Sequence, residues 1–153
     1  MSIVDEILAE INQVVKGKED VVQKVLAAML AEGHILLEDI PGVGKTTLAM
    51  TVAKTMSMEY RRTQFTPDVL PSDILGFSMY NSQTKEFEYK AGSVFCNLFL
   101  ADEINRTSPK TQSALLEVME EGNVTVDGVT RKLPVPFTVI ATENPIGSAG
   151  TQM

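Results

Sequence analysis

The chain has a single cysteine, Cys96, so no internal disulfide can form. That scarcity fits a reducing compartment such as the cytoplasm. Lying just before Leu98 of an apolar run, Cys96 is expected to be a small buried apolar residue rather than a catalytic thiol. No apolar run approaches the roughly 20 residues that cross a bilayer. The opening stretch, MSIVDEILAE, is acidic and amphipathic, so neither a membrane span nor a signal peptide is expected. Positive charge is also scarce: 13 Lys and Arg stand against 20 Asp and Glu, a net charge of −7. With no basic stripe, unaided nucleic-acid binding is excluded as a first reading. No internal repeat or low-complexity linker interrupts the 153 residues, and 44% hydrophobic residues suffice for one domain with a core.

The pattern along the chain alternates between helical and strand periods. Ile3, Ile7, Ile11 and Val15 recur every fourth residue and predict an amphipathic helix, broken at Lys16-Gly17. A second helix follows, with Val21/Val22, Val25/Leu26 and Met29/Leu30 inward, ending near Gly33. HILLE (34–38) has the form of a strand buried on both faces of a parallel sheet. KTTLAMTVAKTM (45–56) reads as a helix and EYRRTQF (59–65) as a strand. Two prolines and a glycine in TPDVLPSDILG (66–76) imply a loop with one helical turn. FSMY (77–80) and EFEYK (86–90) form a hairpin across NSQTK. NLFLADEI (97–104) is an apolar strand ending in two acids. Ser108-Pro109 is an N-cap followed by a first-turn proline, opening a helix that turns Leu115, Leu116 and Met119 inward and stops at Gly122. NVTVDGVTRKL (123–133) is a hairpin about Asp127-Gly128, and PFTVIATEN (136–144) is a fourth apolar strand. Strands alternating with helices imply an α/β fold with a parallel sheet and hairpins at its edge.

Three stretches carry chemistry. PGVGKTT (41–47) lies between a strand and a helix, the setting in which a glycine-rich turn cradles phosphate. Gly42 and Gly44 let bare backbone N–H groups approach anionic oxygens. Lys45 offers a charge for the β- and γ-phosphates, Thr46 a hydroxyl for Mg²⁺, and the helix N-terminus its partial positive charge. Asp39 stands where the strict phosphate-loop pattern has its first glycine. A carboxylate aimed at a triphosphate would repel it, so Glu38 and Asp39 are expected to point away at the solvated lip. In LFLADE the apolar run into two acids resembles the acidic strand end of P-loop ATPases, a resemblance by which Asp102 would hold Mg²⁺ through its water shell and Glu103 would orient and deprotonate a water. Asn144, ending the fourth strand, is placed to position that water or sense the γ-phosphate. His34, the lone histidine, is expected to be solvated or hydrogen-bonded, and Met50, Met56 and Met58 to fill gaps in the core.

Taken in order, LLEDIPGVGKTTLA, QFTPDVLPSDILG, NLFLADEINRTSPKTQSALLEVMEEGNVTVDG and PFTVIATENPIGSAGTQ resemble the MoxR family of AAA+ ATPases over essentially the whole chain. The resemblance implies a P-loop NTPase three-layer sandwich with a parallel central sheet, a helix-2 insert after Gly76 and a pre-sensor-1 hairpin at 123–133. It makes Pro41, Gly42, Val43, Gly44, Lys45, Thr46 and Thr47 the Walker A segment, Asp102 and Glu103 the Walker B pair, and Asn144 sensor 1. VVKGKED (14–20), with Val15 and Gly17, would line the adenine pocket. ATP and Mg²⁺ are the implied cofactors. The implied partners are further copies in a ring, expected to be hexameric, a von Willebrand factor A-domain protein and a protein client, in the cytoplasm.

Family members continue through an arginine-finger segment, a fifth strand beside 34–38 and a helical lid. Arg61, Arg62, Arg106 and Arg131 all precede Asn144, so none matches the finger. The expectation is a partial AAA+ nucleotide-binding domain over 1–153, the N-terminal part of a longer ATPase. Because a finger is worth ~10³ to 10⁵ in rate in related hydrolases, a nucleotide-binding module without efficient hydrolysis stays open for this stretch alone. A magnesium-chelatase-like motor subunit is the remaining alternative.

Overall fold

The computed structural model describes residues 19–31, 33–38 and 45–143. The helix expected at 3–15 therefore lies outside the described residues. Four parallel strands, β1 (Ile35–Glu38), β8 (Thr138–Glu143), β5 (Leu98–Asp102) and β2 (Tyr60–Gln64), stand side by side in that order. Their registers run Ile35 against Ile140, Leu100 against Ile140 and Arg62 against Leu100. All five residues of β5 are buried, as its central position requires.

Successive side chains of a strand point to opposite faces, and the core divides accordingly. Leu98, Leu100 and Ile140 face α1 (Glu19–Leu30) and α2 (Lys45–Thr55), packing with Val25, Met29, Leu48 and Val52. Phe99, Ala101, Val139 and Ala141 face the other way, toward α4 (Pro109–Glu121), where Leu115 and Val118 complete a second cluster. There the rings of Phe65 and Phe99 meet edge to face at 6.5 Å. Both are fully buried, each burial contributing roughly 1.5–3 kcal/mol. Sheet and flanking helices make the three-layer α/β sandwich expected from the sequence.

Local signals set the element ends. Ser108 caps α4, its hydroxyl accepting the Thr111 N–H at 3.2 Å ahead of Pro109. Gly122 closes the same helix in the left-handed region, φ 74°. The short helix α3 (Pro71–Leu75) supplies the single turn foreseen in the proline-rich stretch. Hairpins β3–β4 (Gly76–Asn81, Glu86–Ala91) and β6–β7 (Asn123–Val126, Val129–Lys132) form where expected. Asp127 and Gly128 both take positive φ, 52° and 78°, as a two-residue turn demands. The hairpins are separate two-stranded sheets and do not extend the edge of the central one. A stacking contact links them, with the Arg131 guanidinium 3.7 Å over the Tyr89 ring.

Several burial expectations need correction. β1 has a neighbour on one side only among the described residues, and Leu36 is 59% exposed, so this strand is not buried on both faces. Leu30 and Leu116 point outward. Adjacent helical residues sit about 100° apart, and in each doublet the partner took the core side. Met56 and Met58 pack against the core as foreseen, whereas Met50 lies exposed on α2.

Candidate functional site

In a parallel sheet the carboxyl ends of the strands share one edge, where ligands collect. Here β1, β8, β5 and β2 end together, and α2, which follows β1 in the chain, begins at that edge with Lys45. Thr46 is half-buried in its first turn and Thr47 is exposed. Pro41, Gly42, Val43 and Gly44 lie outside the described residues, as do Asp39, Asn144, Val15, Gly17 and the side chains of Glu38 and Lys45.

The alternation that sends Leu98 and Leu100 toward α2 sends Asp102 the same way. Asp102 is fully buried, so its charge needs compensation. Thr142 Oγ1 donates to Oδ1 at 2.8 Å and the Arg62 Nη2 group donates to Oδ2 at 2.6 Å. The Phe65 N–H donates to the Asp102 carbonyl at 2.8 Å, carrying the β2–β5 ladder past the strand end.

Glu103 leaves the strand abruptly. Its backbone adopts φ 57° and ψ 51°, a left-handed conformation that costs a non-glycine residue on the order of 1 kcal/mol or more. A Thr142 hydroxyl oxygen accepts the Glu103 N–H at 2.8 Å and holds the bend. The bend frees the Glu103 carboxylate from the strand's alternation. That group is largely shielded and lies 3.4 Å from Arg106 Nη1, on the short 3-10 turn Ile104–Arg106. Thr142 thus holds the Asp102 carboxylate and the Glu103 backbone with one hydroxyl, which can donate once and accept twice.

No group of three or more His, Cys, Asp or Glu side chains capable of caging a metal is present among the described residues. A single buried carboxylate beside a helix start with a threonine hydroxyl is the donor chemistry of a Mg²⁺ that keeps waters and shares substrate phosphates. The described residues therefore fit a Mg²⁺ carried with a nucleotide.

Two residues at this edge escaped the sequence reading. Thr142 could have been found from strand alternation, which puts Thr138, Ile140 and Thr142 on one face. Arg62 had only its place two residues before the end of β2 to mark it.

Elsewhere, Cys96 is fully buried and burial pushes its thiol up to about 12, so it is not a nucleophile. His34 is hydrogen-bonded on both nitrogens: Nδ1 accepts the Val139 N–H at 2.9 Å and Nε2–H donates to the Met119 carbonyl at 2.8 Å. It sits at the start of β1, away from the site edge.

Residues 34–153 match the family described as "ATPase family associated with various cellular activities (AAA)". The chain is similar to the Chaperone MoxR1 of Mycobacterium tuberculosis, 45% identical over 92% of this chain and 37% of that protein. The chain belongs to the MoxR branch of the AAA+ ATPases. The uncharacterised protein YeaC of Bacillus subtilis is 60% identical over 92% of this chain and 44% of its own length. A crystal structure from Cytophaga hutchinsonii, of a protein named for an inferred ATPase activity, superposes with a TM-score of 0.83. It is 47% identical and is covered to 43%, against 94% of this chain. The chain thus spans less than half the length of these relatives. The AAA+ fold implies nucleotide binding. No helix among the described residues is long and apolar enough to cross a membrane.

Proposed function

We propose that this chain is the nucleotide-binding part of a MoxR-type ATPase, binding ATP with Mg²⁺ and, in the complete protein, hydrolysing it to remodel or mature a protein client. The observation that carries the reading is the fixed pair of acids at the end of β5, one buried and aimed toward α2, the other bent out of the strand. In this reading the domain is an incomplete AAA+ module over 1–153. The complete protein works in the cytoplasm as a ring, taken as hexameric, with a von Willebrand factor A-domain protein as partner.

The residues divide the work as follows. Following Pro41, which has no N–H of its own, the backbone N–H groups of Gly42–Thr47 and the Lys45 ammonium hold the phosphates, and Val15 and Gly17 line the adenine side. Thr46 and Asp102 hold Mg²⁺, which when bound neutralises charge on the β- and γ-phosphates. Asn144 positions the attacking water. Glu103 takes that water's proton as its oxygen bonds to the γ-phosphorus and the bond to ADP breaks. The contact of Glu103 with Arg106 keeps the carboxylate near the site edge between turnovers.

The test is Glu103→Gln in the full-length protein, followed by phosphate release and by binding of a fluorescent ATP analogue. Binding should persist while turnover falls at least ~100-fold, in the range of a lost general base. Undiminished turnover would remove Glu103 from that role.

A further inference from the structure

The α2-facing side of β2 carries Tyr60, Arg62 and Gln64, alternate residues of one strand. Arg62 Nη2 lies 2.6 Å from Asp102 Oδ2 and 2.7 Å from Gln64 Oε1. The ion pair is lopsided in its exposure, the Asp102 side chain being 2% exposed and that of Arg62 39%. The carboxylate is fixed from the other side by Thr142. The arginine has solvent beside it and a second acceptor, Gln64, on its own strand.

We propose that Arg62 is a resident counter-cation of Asp102 which an incoming Mg²⁺ must displace, so that this arginine sets the metal affinity of the site. The inference rests on the reading of Asp102 as the metal's carboxylate. A carboxylate this buried is costly without a partner cation, and Arg62 supplies one. A divalent ion directed to the same carboxylate meets the guanidinium as a like charge at close range, in a medium that screens poorly. The two cations therefore compete for one anion. Displacement has a defined end point, since the guanidinium keeps its Gln64 acceptor as it leaves the carboxylate. Linkage makes the effect reciprocal: a metal that weakens the Arg62–Asp102 pair is itself weakened by that pair to the same factor. Arg62 is on this account a positioning residue, acting on the metal through Asp102.

The experiment titrates Mn²⁺, a paramagnetic stand-in for Mg²⁺, into full-length protein saturated with a non-hydrolysable ATP analogue, reading free Mn²⁺ by electron paramagnetic resonance. Arg62→Gln should lower the half-saturating Mn²⁺ concentration about fivefold or more, the low end of ordinary coupling between sites. Its melting temperature without metal should fall at the same time. An arginine that merely braces the fold would lower the melting temperature and leave half-saturation where it was, overturning the proposal. If Arg62→Gln does not fold, Arg62→Met, which keeps the apolar stem but removes the charge, must shift half-saturation in the same direction. An unmoved value there overturns it equally. Wild-type protein that binds the analogue but shows no linked Mn²⁺ uptake, with Asp102→Asn no different, would instead strike the underlying reading of Asp102. The two failures are thereby distinguishable.

Discussion

Thr142 and Asp102, 40 residues apart in the chain, share a 2.8 Å hydrogen bond in which the threonine hydroxyl donates to Oδ1. The same hydroxyl accepts the backbone N–H of Glu103. Replacing Thr142 with valine keeps the shape and removes both bonds, one from a shielded N–H and one to the buried Asp102 carboxylate. The expected cost is about 1–3 kcal/mol in urea unfolding. Turnover of the full-length protein should fall at least ~10-fold, because the Asp102 carboxylate and the Glu103 backbone lose that hold. Thr142→Ser should recover most of each loss. A valine variant within twofold of wild type in turnover would show that the hydroxyl orients nothing of consequence.

His34 gives a pH dependence whose sign follows from its bonds. Burial lowers its pKa from the ordinary 6.5, the hydrogen bond to Met119 opposing in part. The neutral ring can accept the Val139 N–H, whereas the imidazolium cannot, since both its nitrogens carry protons. The unfolded chain therefore binds a proton more readily than the folded one. Stability should be fully present above pH 6.5 and lost as the pH falls from there through the lower folded value. His34→Gln should flatten that part of the melting-temperature profile while lowering its plateau. A wild-type profile with no slope between pH 7 and pH 5 beyond that of the variant would count against the assignment.

Gly76 begins β3 at φ 94° and ψ 177°, backbone that side chains strongly avoid. A Cβ there would stand 2.4 Å from the Lys90 carbonyl and 2.5 Å from the Tyr89 hydroxyl, which itself bonds the Leu75 carbonyl. Gly76→Ala should destabilise the protein by about 2–4 kcal/mol, through strain and displacement of the β4 strand. Equilibrium unfolding measures this directly, and a loss below ~1 kcal/mol would mean that the hairpin can shift without penalty.

Much of this architecture was legible because it depends on neighbours in the chain. Ser108-Pro109, Gly122 and Asp127-Gly128 punctuate their elements through local backbone chemistry, and each acts where expected. Helix faces were legible at their centres, as with Val25/Leu26, but not at Leu30 or Leu116, where the choice belongs to whatever packs against the helix. The edge exposure of Leu36 depends on strand order, which no local pattern records. At the site, the acids of LFLADE declared themselves by lying at the end of an apolar strand. Their partners Arg62 and Thr142 did not, for each reaches Asp102 through a sheet register set by the whole fold.

The alternation along β5 leaves a constraint of its own. Leu98, Leu100 and Asp102 share a face only because single residues separate them. Substitution within this run is a matter of degree, but a change in its length is a matter of parity. One residue gained or lost between Leu98 and Asp102 would turn the aspartate into the Phe99 and Ala101 cluster and set its neighbour toward α2. The length of β5 is therefore constrained by the two-sided core and the placement of Asp102 together, independently of which apolar side chains fill it.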